Sequence, residues 1–180
     1  RALGQGTDAR DAYGWAARSM EFRSAAYVQL AELAFLAGAH DESERYARFA
    51  LDYDRFNIPA LEMLALIGRR SGDTVLASSM REQISDIDPL NHFTNAELFL
   101  SEPGSSGAVL DRSFRSEYPG QTILELAVGY ARLGERDDAI RLLRLGVGLS
   151  GNPIFRAWLA WLNDEPSGLA TQVDVAFVFP

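Results

Sequence analysis

Two histidines, a doubled run of aspartates and a set of arginines are the side chains here whose types and spacing could do chemistry. His40 and His92 stand 52 residues apart. Neither falls in a His-Glu-x-x-His spacing or beside a nucleophilic-serine motif, so a surface or capping role is expected of each. "LDYDRFN" and "SDIDPLN" repeat one pattern, in Asp52, Asp54 and Asn57 and again in Asp86, Asp88 and Asn91. Calcium takes oxygen ligands of this kind, yet the glycine and terminal glutamate of an EF-hand loop are missing. Carboxylates between helices also favour the positive N-terminus of the next helix and cap its N–H groups, and capping is the expected role.

Other chemistries are excluded by composition. Cysteine is absent, which removes disulfides and thiolate nucleophiles. All 17 basic residues are arginine, so a phosphate-binding loop ending in Lys-Ser/Thr cannot be present. An arginine-only basic set in an alanine-rich chain resembles a GC-rich bacterial coding bias. The net charge is −8 with no basic tract, which disfavours nucleic acid and anionic membrane surfaces as partners. No apolar run approaches the roughly 18 residues of a membrane span, so no membrane insertion is expected. Trp15, Trp158 and Trp161 fall in helical segments and are expected to serve packing. No catalytic constellation, cofactor or metal is expected, and the chain is not expected to be an enzyme.

The elements that position these residues follow from punctuation. Helices are expected at about 7–20, 24–37, 41–53, 58–71, 74–86, 90–100, 107–116, 120–133, 136–147 and 153–162. "LGERDDAIRLLRLG" (Leu133–Gly146) stops one helix at Gly134 and starts another, as the elbow of a helical hairpin does. That elbow recurs. Aligning 24–57 on 58–91, an offset of 34, matches Ala26 with Ala60, Leu30 with Leu64, Ala31 with Ala65 and Gly38 with Gly72, and also matches the Asp and Asn residues above. The elbow glycines are Gly4, Gly38, Gly72 and Gly134, with a shortened unit before the last whose elbow lies in "SEPGSSG" (Ser101–Gly107). The units are a half repeat over 1–23, repeats over 24–57 and 58–91, a shortened one over 92–119, another over 120–152, then a terminal helix and tail over 153–180. All belong to one helical-repeat domain. The missing Met and the half repeat at Arg1 suggest a processed or excised piece.

A period of 34 carrying Leu30, Ala31, Gly38, Ser43 and Ala50, then Leu64, Ala65, Gly72, Ala77, Ile84 and Pro89, resembles the tetratricopeptide repeat. Leu126, Ala127, Tyr130, Gly134 and Ala139 fit the same series. Ala34 and Gly68 depart from it where an aromatic is usual. The resemblance implies an all-α fold, a right-handed α-α superhelix or solenoid of helical hairpins. More narrowly, "DPLNHFTNAELFL", "FRSEYPGQTILELAVGYARLG" and the closing "FVFP" resemble the tail of a bacterial family of unknown function. That family carries a galactose-mutarotase-like β domain upstream.

In such solenoids the first helix of each pair lines a concave groove. The resemblance places Val28, Glu32, Phe35, Glu62, Leu66, Arg69, Arg70, Glu125, Val128 and Arg132 there. The set mixes apolar groups with both charges, which suits a protein or peptide segment. Val28 and Glu32 stand where chaperone-tail binders carry basic residues, so a C-terminal carboxylate clamp is not expected. Two functions stay open. One is a non-catalytic scaffold for a peptide, a partner protein or an upstream domain of the parent chain. The other is a C-terminal helical appendage of a carbohydrate-active enzyme whose catalytic domain lies outside this chain. "VDVAFVFP" (Val173–Pro180) alternates apolar and other residues and is expected to pack on the last repeat or a neighbouring chain.

Overall fold

A computed structural model describes residues 6–102 and 118–164. Among them the secondary structure is entirely α-helical: α1 (Gly6–Ala16), α2 (Arg23–Leu36), α3 (His40–Tyr53), α4 (Ile58–Ser71), α5 (Thr74–Ile87), α6 (His92–Ser101), α7 (Pro119–Arg132), α8 (Arg136–Ser150) and α9 (Pro153–Asp164). The expected helix over 107–116, the elbow at Gly4, most of "SEPGSSG" and the tail over 173–180 lie outside the described residues. The described residues fall into two compact units, one carrying α1 to α6 and one carrying α7 to α9.

In the first unit α2 pairs with α3 and α4 with α5, while α4 also packs against α2, α3 and α6. The elbows follow the punctuation. Gly38, Gly72 and Gly134 sit at φ +75°, +78° and +81°, a left-handed conformation that side chains resist. At Gly38 the turn closes with Gly38 N–H on the Phe35 carbonyl and Ala39 N–H on the Ala34 carbonyl, both 2.9 Å. Gly134 repeats this with Ala131 and Tyr130 as acceptors, so free carbonyls at both helix ends are satisfied. Seven residues before each elbow glycine stand Ala31, Ala65 and Ala127, and five after stand Ser43, Ala77 and Ala139. All six are buried, because small residues there let the paired helices cross closely. Ser43 keeps its hydroxyl satisfied by donating to the Ala31 carbonyl at 2.8 Å.

α4 and α5 cross closely at Gly68, where a β-carbon would meet the Ala77 amide nitrogen at 2.8 Å and the Asp73 carbonyl at 3.0 Å. That contact leaves no room for a side chain at Gly68. In the second unit the same position holds the buried Tyr130. There α9 packs on α8, with the fully buried Phe155 ring lying over Gly146, and Arg136 at the start of α8 donates to the Leu162 carbonyl near the end of α9.

One helix differs from expectation. α1 stops at Ala16 rather than near residue 20 and buries no residue. The carbonyls of Ala17 and Arg18 beyond its end are taken by the Arg23 guanidinium, at 2.7 and 3.0 Å, which turns the chain into α2. Trp15 corrects the packing expectation: it is 68% exposed, with the Arg18 guanidinium 4.2 Å from its ring centroid. Trp158 and Trp161 lie edge to face, 5.6 Å apart, and both are half-buried.

Candidate functional site

The residues expected to line a groove divide by burial. Val28 is buried with Ala50 and Ala60, so it joins α2, α3 and α4 rather than facing a ligand. Phe35 is buried edge-on to the His40 ring at 4.9 Å, and Leu66 is fully buried. Burial of these three is what an i, i+3, i+4 apolar stripe on a core-facing helix produces. Glu32 is half-buried and accepts from the Gln29 amide at 3.3 Å, while Arg70 is exposed at the end of α4. In the second unit Glu125 is exposed and accepts from Gln121 at 3.0 Å, Val128 is half-buried and Arg132 is exposed.

Glu62 and Arg69 come together with α6. Asn91 caps α6 by accepting from Thr94 N–H at 3.2 Å, and its amide reaches across to donate to Glu62 Oε1 at 3.1 Å. Arg69 meets Glu97, which has no exposed surface, through two hydrogen bonds of 2.7 and 3.1 Å. Burial pushes the Glu62 carboxyl above the usual carboxylate range, and the charges of Asp88 and Glu97 push the same way. The Asn91 hydrogen bond draws it partly back. The result is a polar seam between α4 and α6 whose donors and acceptors are engaged across the seam. Its chemistry is positional: it fixes one first helix against the next.

The doubled Asp-x-Asp-x-x-Asn runs act at the same place in each repeat. Asn57 caps α4 by accepting from Ala60 N–H at 3.0 Å and also donates to Ser24 Oγ at 2.8 Å. Asp54 accepts from Phe56 N–H and Asp88 from Leu90 N–H, both at 3.0 Å, folding two identical Asx turns. Asp73, which the sequence reading passed over, caps α5 by accepting from Leu76 N–H at 2.9 Å. A Gly-Asp pair ahead of an apolar run was its signal. His40 and His92 are the first residues of α3 and α6. Among the described residues no three His, Asp or Glu side chains gather as a metal would require. No described helix is long and apolar enough to cross a membrane.

Sequence reasoning also missed a row of rings on α2 and α3. Tyr27 stacks on Tyr46 at 6.1 Å and on Tyr53 at 5.9 Å, with Phe49 tilted against it at 5.4 Å. Arg45 and Arg23 lie over the outer members, 5.7 Å from Tyr46 and 4.7 Å from Tyr53. The spacing Tyr46, Phe49, Tyr53 on one helix face was its signal. Comparison with models of protein families, with curated proteins and with solved structures gives no match.

Proposed function

We propose that the chain is a non-catalytic scaffold, a solenoid of tetratricopeptide-like hairpins that holds a protein or peptide segment, or an upstream domain of its parent chain. The observation that carries this reading is the repeated hairpin itself, with α2, α4 and α6 set side by side through α4. In the first unit two carboxylates serve that stacking: Glu97 is held by Arg69, and Glu62 by Asn91. The solvent-facing parts of the first helices are mixed in charge, with Glu32 and Arg70 in the first unit and Glu125 and Arg132 in the second. Such a surface suits a polypeptide better than a phosphate or a bare cation.

The test is affinity capture from lysate of the source cells, comparing the wild-type chain with Glu32→Arg and Arg70→Glu. Arg69 is left intact because Glu97 depends on it. A protein retained by the wild type and lost by either variant supports the scaffold. Capture unchanged by both variants, or none above background, overturns the use of these helices.

A further inference from the structure

Three large apolar residues stand at one repeat position and face solvent. Phe22, Phe56 and Leu90 are separated by 34 residues each and are 59%, 56% and 61% exposed. They precede the first turns of α2, α4 and α6, and two hydrogen bonds bring those turns to one end of the unit. Asn57 ties the start of α4 to Ser24 at the start of α2, and Asn91 ties the start of α6 to Glu62 in α4. A hydrophobic staple onto the following helix does not account for the three. Phe22 is itself the N-cap and the staple position after Leu90 holds Asn95, so of the three only Phe56, with Leu61 at that position, fits a staple, and it still stands 56% exposed. The Asx turns at Asp54 and Asp88 fix the backbone that carries Phe56 and Leu90, so binding would order little that is not already ordered.

The surrounding charge points to a partner. In sequence, Asp52 and Asp54 precede Phe56 and Asp86 and Asp88 precede Leu90, Glu21 and Arg23 flank Phe22, and Arg55 lies over the Phe56 ring at 4.4 Å. Asp52 and Asp86 are exposed in the last turns of α3 and α5, where a carboxylate opposes the helix dipole. The same unfavourable placement recurs in both repeats, so helix stability is not the reason for it. We propose that the edge formed by Phe22, Phe56 and Leu90 docks a polypeptide segment of large apolar residues interleaved with Arg or Lys. Apolar side chains of the segment cover the three knobs, and its cations meet the four aspartates. None of these residues belongs to the first-helix set above, so this surface stands or falls apart from that reading.

The experiment is selection of random twelve-residue peptides from a displayed library on the full chain, then anisotropy titration of the enriched sequences. Enrichment of peptides carrying both large apolar and basic residues is the expected result. Phe56→Ser/Leu90→Ser should weaken them by about tenfold or more, the scale of losing one or two buried apolar side chains. Asp52→Asn/Asp86→Asn leaves the knobs and both Asx turns in place and should weaken the same peptides and flatten their salt dependence. Thermal unfolding of both variants checks that the fold persists. Failure to enrich, enrichment without basic residues, or equal binding to both folded variants overturns the proposal.

Discussion

Arg69 of α4 and Glu97 of α6 form a two-point ion pair, Nε to Oε2 at 2.7 Å and Nη2 to Oε1 at 3.1 Å, with the carboxylate wholly buried. Removing one partner strands a buried charge, which costs about 3–5 kcal/mol, whereas replacing both with apolar groups is often neutral. Arg69→Ala and Glu97→Ala should each lower the urea midpoint sharply, and Arg69→Met/Glu97→Leu should recover most of the loss. Two additive single losses with no recovery would show that the pair is not coupled.

This pair marks where the sequence stops being legible. The elbows were readable because Gly38, Gly72 and Gly134 are local signals, and a left-handed residue needs no distant partner. The caps Asn57 and Asn91 were readable for the same reason. Arg69 and Glu97 lie 28 residues apart, and their meeting depends on how α4 stacks on α6. The repeat resemblance placed Arg69 among the groove residues, and nothing local to Arg69 signals the carboxylate it meets. The burial of Val28, Phe35 and Leu66 was hidden similarly, since an apolar residue on a first helix serves core and groove alike until its neighbours are placed. Trp15 failed from the opposite side, because a helix that buries nothing looks like any other helix in sequence.

Gly68 should tolerate no side chain. A β-carbon there meets backbone atoms of Asp73 and Ala77 rather than a movable side chain, so α4 and α5 must separate. Gly68→Ala should destabilise by about 1–3 kcal/mol despite its better helix propensity, and Gly68→Tyr should prevent the hairpin from closing. Chemical denaturation of the alanine variant is sufficient to check this. A gain in stability would mean that the helix crossing is looser than described.

Glu62 gives the fold a pH dependence of defined sign. Its carboxyl titrates above the usual range because of burial first, with Asp88 and Glu97 adding to it, so in that window the folded chain holds more protons than the unfolded one. The contribution is complete below the ordinary carboxylate range and is lost as pH rises through the raised value. Glu62→Gln keeps an acceptor for Asn91 and cannot ionise, so its stability should fall less than that of the wild type over the same pH rise. The check is a series of urea titrations from acid to neutral pH on both proteins. Parallel curves would remove Glu62 as the titrating group.

Gly146 and Phe155 should behave as one unit in the packing of α9 on α8. The Phe155 ring occupies the space that a β-carbon on Gly146 would need, and the ring is fully buried. Phe155→Ala empties that space and should cost about 3–5 kcal/mol, while Gly146→Ala forces the ring out and should cost about 1–3 kcal/mol. Once Phe155 is alanine, the clash is gone and Gly146→Ala becomes nearly free. The double variant should therefore be more stable than the sum of the two single losses predicts, by at least about 1 kcal/mol. Denaturation of all four proteins, followed by tryptophan fluorescence from Trp158 and Trp161 on α9, reads the coupling where it acts. Additivity within error would place the Phe155 ring away from Gly146 and undo the described seat of α9.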